Sequence, residues 1–214
     1  MKRAVLAVAV VSTFAIPSFA ENNLNPFEDE KSGFYLGLGL GAADYDKSYD
    51  EWKDGNFGYT KYQVRDGAAN IFAGYRVNKY FALEVNYAYL GNPDAKNTHL
   101  DHAYEVENKI RGYGIKAVGI YPINNSFELK ASAGVMKWKV EEDYSTPGLG
   151  NGQYDESSSE RGSSLTVGFG ANYNLTENVA FGLQWERIND VGDKELRFGE
   201  TDIDVYSASV QYKF

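Results

Sequence analysis

Five charged residues, Glu84, Lys116, Glu128, Lys130 and Glu186, stand in runs where apolar and polar residues alternate, each on the polar side of its run. Successive side chains of a β-strand point to opposite faces, so a charge in that position shares the wet or enclosed face of a sheet. Carboxylates and ammonium groups that face an enclosed space too small for bulk water have to satisfy one another. The chemistry open to them is mutual neutralisation in a packed interior, or a narrow ion path that opens when they rearrange. Other reactive types offer less. His99 and His102 flank Asp101 in a polar stretch, and a metal site needs more convergent ligands, so they are expected to be solvated loop residues with no metal bound. Ser157-Ser158-Ser159 has the composition of a flexible loop, and no Gly-x-Ser-x-Gly nucleophile turn occurs. No catalytic residue and no cofactor are expected.

The strands that must carry the five charges are legible as eight alternating runs. The first, from Gly33 (GFYLGLGLGAADY), sets Phe34, Leu36, Leu38, Leu40 and Ala42 against Gly37, Gly39 and Gly41. Three alternate glycines weaken a strand in water, but in a narrow barrel they make room for long side chains from opposite strands. The second run (near Gly67 to Val77) and the third send Ala69 to Val77 and Phe81 to Tyr89 outward, with Glu84 and Asn86 inside. In the fourth, about Lys109 to Tyr121, both faces look apolar. Lys116 is assigned inward because a charge facing lipid at mid-membrane costs about 2 to 4 kcal/mol. The fifth, from Phe127, holds Glu128, Lys130, Ser132, Met136 and Trp138 inside; the sixth carries Leu165 to Tyr173 outward, and the seventh sets Val179 to Trp185 against Gln184 and Glu186. The eighth is Val205 to Phe214, with Tyr206, Ala208, Val210, Tyr212 and Phe214 on one face.

Connections between these runs alternate long and short. Long polar loops are expected at Asp46 to Arg65, Gly91 to Asn108, Glu141 to Glu160 and Asn189 to Thr201, and tight turns at Val77 to Tyr80, Tyr121 to Asn125 and Asn174 to Asn178. That asymmetry, with a closing strand that needs a partner, predicts an eight-stranded antiparallel up-and-down transmembrane β-barrel over 33–214. Met1-Lys2-Arg3, the apolar run Ala4 to Val11 and Ser18-Phe19-Ala20 make residues 1–20 a secretory signal peptide. Residues 21–32, polar and with Pro26, form a periplasmic N-terminal tail, and both mature termini are expected in the periplasm.

Composition narrows the function classes. The net charge is −9, and losing Lys2 and Arg3 with the leader makes it more negative by two, which argues against nucleic acid as a partner. Mean hydropathy is −0.46, the value of a soluble protein, but alternating strands average to near neutral and hide a barrel. With 17 Tyr and 12 Phe the chain can furnish aromatic girdles at both membrane interfaces, and with no Cys it has no disulfide framework. A Tyr-rich carbohydrate-binding sandwich shares that composition, so composition supports the barrel without deciding it.

The segments Phe72-Ala73-Gly74-Tyr75-Arg76-Val77-Asn78 with Glu84 and Tyr87, the Tyr121-Pro122-Ile123 turn, Met136-Lys137-Trp138, and Ile188 to Asp193 with the closing strand resemble the outer-membrane protein A (OmpA) transmembrane barrels. The resemblance covers most of the mature chain. It implies a Gram-negative outer-membrane location, long surface loops, a structural and surface-contact role and at most a narrow gated ion path. Glu84 matches the family's lumenal glutamate. The family's basic partners fall on Gly182 and Val118 and its second acid on Asn172, so Lys116 and Lys130 are the substitutes expected here. The family's periplasmic peptidoglycan-binding domain is not expected, as the sequence stops at Phe214. In the family a terminal aromatic with alternating apolar residues is recognised by the barrel-assembly machinery, which assigns that signal to Tyr206, Val210, Tyr212 and Phe214.

The expected function is therefore a structural and surface-contact barrel, an adhesion or colonisation factor acting through acidic loops (Asp44 to Asp54, Glu141 to Asp143, Asp155 to Glu160). Expected partners are outer-membrane lipid and lipopolysaccharide, the latter through bridging divalent cations, and a host or surface receptor at the loops; the barrel is expected to be a monomer. The alternatives are a narrow gated channel (a small porin) and, third, a lipid A-modifying enzyme.

Overall fold

The computed structural model describes residues 32–46, 61–62, 65–99, 102–124, 126–146, 154–192 and 200–214. The leader and all of the tail but Ser32 lie outside the described residues, as do 47–60 in the first expected loop. Among the described residues ten antiparallel strands form: β1 (Gly33–Tyr45), β2 (Lys61–Tyr62), β3 (Arg65–Asn78), β4 (Phe81–Tyr89), β5 (Asp94–His99), β6 (His102–Pro122), β7 (Phe127–Thr146), β8 (Tyr154–Asn174), β9 (Val179–Val191) and β10 (Thr201–Lys213).

Eight of them close a ring in the order β1-β3-β4-β6-β7-β8-β9-β10, and β10 returns to β1 from Tyr35↔Lys213 to Tyr45↔Ile203. This is the expected eight-stranded up-and-down barrel. Closure leaves no unpaired sheet edge at the waist, which a hydrocarbon environment demands of every backbone amide. The alternation explains which face goes where. Phe34, Leu38 and Leu40 on β1, Ile115 and Tyr121 on β6, Leu165 and Phe169 on β8 and Leu183 on β9 are exposed on the outer wall, while Ala82, Val118 and Lys116 are enclosed. Aromatic residues gather at the two ends of this apolar band. Tyr87, Tyr113, Trp185 and Tyr206 lie toward the long loops, and Phe34, Tyr75, Tyr121, Tyr173 and Tyr212 toward the short turns.

The long connections are less loop-like than expected. Within the expected loop Gly91 to Asn108, β5 and the start of β6 form a hairpin that turns at His99↔His102, and β2 pairs with β5 through Lys61↔Lys96. Within the expected loop Glu141 to Glu160, β7 continues to Thr146 and β8 begins at Tyr154, in register from Thr146↔Tyr154 downward. In the fourth, β9 runs on to Val191, where Asp190 (φ 52°) and Gly192 (φ 99°) turn the chain. The β7 and β8 extensions carry polar residues on both faces, so hydrophobic alternation cannot reveal them. Pairing to a neighbouring strand that is already in place holds them in the ladder.

The result is a lopsided barrel. β6, β7 and β8 have 21, 20 and 21 residues, whereas β1, β9 and β10 have 13 each. At about 3.3 Å per residue, the longer strands project roughly 25 Å further along their own direction, all at the long-loop end.

Candidate functional site: a filled lumen and a divided rim

The inward glycines work differently from the expectation. On β1 they make room for neighbours on the adjacent strands rather than for side chains reaching from across the barrel: Gly37 for the Phe72 ring, Gly39 for the Asn70 side chain and Gly41 for the Tyr206 carbonyl. Gly37 lies directly opposite Phe72 and Gly74 opposite Tyr35, and a Cβ on either glycine would overlap the facing ring. Gly134, opposite Lys116, is closed in by backbone as well: a Cβ there would meet the Ile115 carbonyl first and Lys116 Cγ at 2.7 Å. Gly37, Gly74 and Gly134 thus each let one bulky or charged neighbour lie down across the lumen.

At mid-height Lys116 on β6 joins two strands. Its Nζ is 3.4 Å from Glu84 Oε1 on β4, its direct cross-strand partner, and 3.0 Å from Glu186 Oε2 on β9 across the lumen. Tyr35 donates its hydroxyl to Glu84 Oε2 (3.1 Å), and Gln184 donates to Glu186 Oε2 (3.2 Å). Glu84, Lys116 and Glu186 are each less than one-tenth exposed. Glu128 is placed elsewhere, nearer the short turns, where Arg76 Nη2 meets its Oε1 at 2.9 Å and also binds the Lys79 carbonyl. Lys130 joins neither pair by a direct bond; its ammonium lies 5.9 Å from the Tyr35 ring centroid. The five expected residues therefore divide into a Glu84–Lys116–Glu186 triad, an Arg76–Glu128 pair and a lysine over an aromatic face. Sequence reasoning missed Arg76 and Lys213, whose Nζ donates to Asn174 Oδ1 at 2.6 Å. Both sit on the enclosed face of strands already identified, so the alternation that placed Glu84 would have found them.

Apolar residues cap the lumen on both sides of the triad. Tyr35, Phe72, Ala82, Val118 and Ile120 pack toward the short turns. Toward the long loops Leu90, Ile110, Trp138, Val140, Ile188 and Ile203 form a larger core. Between the caps the interior leaves a cavity of about 20 Å³ bordered by Asn70, Asn86 and Glu186, and one of about 10 Å³ bordered by Glu84, Lys130 and Gln184. A single water needs about 10–15 Å³, so these spaces have the size of isolated waters rather than of a pore.

On the outer wall, just beyond the apolar band on the long-loop side, the rim has two unlike arcs. Along β3-β1-β10-β9 the outward row is Arg65, Asp44, Asp204 and Arg187, in register across the four strands. Its charges match one for one. Arg65 forks onto Asp44, and Arg187 forks onto Asp204 at 2.9 and 2.6 Å, with the Trp185 indole N–H on the same carboxylate at 3.0 Å. Along β6-β7-β8 the rows above Ile115-Val135-Leu165 are Tyr113-Lys137-Ser163 and then Arg111-Lys139-Arg161. Glu141, one row higher, accepts from Lys139 (2.6 Å) and from Arg111. Those two bonds, Lys139 first, hold its carboxyl down at about 2. Lys137 and Arg161 are exposed, with no carboxylate bound to either among the described residues.

The remaining sequence candidates fall as follows. Tyr206, Val210 and Tyr212 point outward from β10, about half exposed, and Phe214 N donates to the Phe34 carbonyl at 2.9 Å. Glu141 and Asp143, expected in an acidic loop, lie on β7, and Asp143 accepts from Lys109 at 3.2 Å. His99 and His102 stand opposite each other in the β5–β6 register, while Asp101 lies outside the described residues. Among the described residues no group of three or more His, Cys, Asp or Glu is placed to hold a metal ion.

A closed eight-stranded ring with an apolar belt, aromatic girdles and a packed lumen defines an outer-membrane β-barrel. The chain belongs to the outer membrane protein β-barrel domain family, whose profile matches residues 6–214. It is 28% identical over 214 residues to outer membrane protein A of Shigella flexneri, and 27% identical over 214 residues to outer membrane protein A of Escherichia coli O157:H7. The alignments cover 100% of this chain and 56% and 55% of those relatives, so the chain spans little more than half their length. In structure it is similar to Neisserial surface protein A (TM-score 0.54, 19% identity, 86% of this chain and 100% of that one). It is also similar to Ail, the attachment invasion locus protein of Yersinia pestis (TM-score 0.51, 15% identity, 87% and 100%). The bacterial outer membrane is its location.

Proposed function

We propose that the protein is a structural and surface-contact barrel, non-enzymatic and monomeric, with the long-loop end outside the cell and both ends of the barrel strand series at the periplasmic side. In this reading it serves adhesion or colonisation through the tall β5–β8 face, whose upper strands carry the acidic stretches Glu141 to Asp143 and Asp155 to Glu160. One observation carries the reading: β6, β7 and β8 continue well past the lipid band while the lumen beneath them is filled. Ordered strand outside the membrane is surface offered to a partner, whereas a filled lumen offers no route for solute. Assembly in this proposal depends on the outward face of β10, with Tyr206, Val210, Tyr212 and Phe214 presented to the barrel-assembly machinery.

A strain lacking the protein should lose adhesion to a host-cell or abiotic surface. The full chain should restore it, and a variant with the 94–107 hairpin replaced by a short turn should not. Wild-type adhesion and envelope integrity in the deletion strain would overturn the proposal. A narrow gated channel is the second reading, favoured by Lys116 being shared between Glu84 and Glu186, since moving one ammonium between two acids is a switch. Single-channel steps in planar bilayers that change with Glu84→Ala would support it; their absence removes it.

A further inference from the structure

We propose that the outward face of β6-β7-β8, at the level of Arg111, Lys137, Lys139 and Arg161, binds the phosphate-bearing headgroup of an outer-leaflet glycolipid; the inference rests on the long-loop end facing outward. The four cations occupy two successive cross-strand rows. Arg111-Lys139-Arg161 places three positive charges side by side on neighbouring strands, an arrangement that is destabilising unless something negative answers it. Glu141 answers two of them, through Lys139 and Arg111. Lys137 and Arg161 remain, exposed and without a carboxylate among the described residues.

The position is as informative as the charge. One row toward mid-membrane lies the apolar Ile115-Val135-Leu165, and Tyr87 and Tyr113 stand level with Lys137. The cations therefore sit where a bilayer changes from acyl chain to headgroup. Together these side chains border an open depression of about 610 Å³ on the outer wall, room for a sugar phosphate. The chain as a whole is acidic, with a net charge of −9. A cluster of four bases on its lipid-facing wall is thus a local inversion, and on the β3-β1-β10-β9 arc each arginine is paired with an aspartate of the same row. An arginine fork beside lysines suits a phosphomonoester, which accepts two parallel N–H bonds from guanidinium and a point contact from ammonium. The tyrosines and the apolar row below accommodate the attached acyl chains.

The test uses the purified full chain in detergent micelles with EDTA present, so that neither orientation nor divalent bridging enters. Retention of rough-type lipopolysaccharide, of the same glycolipid with its lipid A phosphates removed, and of inorganic phosphate is measured by native mass spectrometry and titration. Wild type should bind the phosphorylated glycolipid. Lys137→Gln with Arg161→Gln should weaken it about tenfold or more, and Lys137→Arg with Arg161→Lys should retain it. Arg187→Gln on the paired arc should leave it unchanged, with every variant checked for its folded, unboiled electrophoretic form. Equal binding by the double glutamine variant overturns the proposal. So does equal binding of the dephosphorylated glycolipid, competition by millimolar inorganic phosphate, or binding that vanishes in EDTA. Orientation is read separately by labelling Ser157→Cys on intact cells, since the chain has no other cysteine.

Discussion

The two arcs of the barrel rim both lie beyond the apolar band on the long-loop side, yet they balance charge in opposite ways. On β3-β1-β10-β9 the order Arg65, Asp44, Asp204, Arg187 places the two acids in the middle and lets each outer arginine fork onto its neighbour. On β6-β7-β8 the row is cationic throughout and its one shared acid stands a step above. The first arc is complete in itself, and the second leaves Lys137 and Arg161 exposed without a carboxylate among the described residues. The difference teaches that charge at a membrane interface has to be read by row and neighbour, because net charge alone would call this surface acidic.

The largest expected effect comes from removing the strand that joins the arcs into one ring. β10 pairs β1 along eleven registered positions and β9 along as many. Deleting Val205 to Phe214 would leave two open edges in lipid, where each unsatisfied backbone group costs several kcal/mol. The truncated chain should give no heat-modifiable band, and a compact unboiled species in the membrane fraction would refute the closure. Phe214→Asp should lower folding yield without abolishing it.

Inside the lumen the same contrast between matched and unmatched charge becomes expensive. Lys116→Met leaves Glu84 and Glu186 facing each other without their shared cation, so a loss of about 3–5 kcal/mol is expected in urea titrations of the folded barrel. Adding Glu84→Gln and Glu186→Gln to Lys116→Met should recover most of it. A triple variant as unstable as the single one would mean that the triad matters through packing rather than charge.

On the rim the effects are smaller. Asp204→Asn strands Arg187 and should cost about 1 kcal/mol or less, whereas Lys137→Gln, which relieves the cationic arc, should leave stability unchanged or slightly raised. Opposite signs for these two substitutions sharpen the comparison, and equal losses would erase it. The smallest effect is that of acid. Glu141 has its carboxyl lowered to about 2, by Lys139 first and Arg111 second. A depressed carboxylate stabilises the fold above its unfolded value of about 4.5, and that contribution is lost as pH falls toward 2. Glu141→Gln should lower stability slightly at neutral pH, where the ionised carboxylate contributes in full, and should flatten the profile between about 4.5 and 2.

How much of this the sequence disclosed follows from the type of signal. The waist was legible because Phe34 to Leu40, Phe81 to Tyr89 and Leu165 to Tyr173 alternate against small or polar residues, a pattern that lipid on one side and a packed lumen on the other impose together. Lys116 was placed inward by the cost of the alternative alone, in a strand whose two faces are both apolar. The upper parts of β7 and β8 are not legible as strand because Glu141 to Asp143 and Ser157 to Glu160 are polar on both faces, and a run without apolar–polar alternation leaves no periodic trace. The triad was only half visible. Membership of the enclosed face is written in the alternation, but which base meets which acid depends on reach across the ring, and Lys130 instead lies over Tyr35.

The rings lying on glycines carry a further consequence, concerning how the chain counts while it assembles. Alternation forbids a one-residue slip between β1 and β3, because every greasy side chain would turn inward. A slip by two keeps both faces intact, and hydrophobicity cannot object to it. The reciprocal pairs Gly37↔Phe72 and Tyr35↔Gly74 can object. Shifted one way, Phe72 meets Tyr35 and two rings compete for one space. Shifted the other way, Phe72 finds Gly39, but Tyr35 meets Arg76 and loses its glycine. Two adjacent ring-and-gap pairs of opposite sense thus act as a ratchet that accepts a single alignment, distinguishing even offsets that the rest of the strand reads as equivalent.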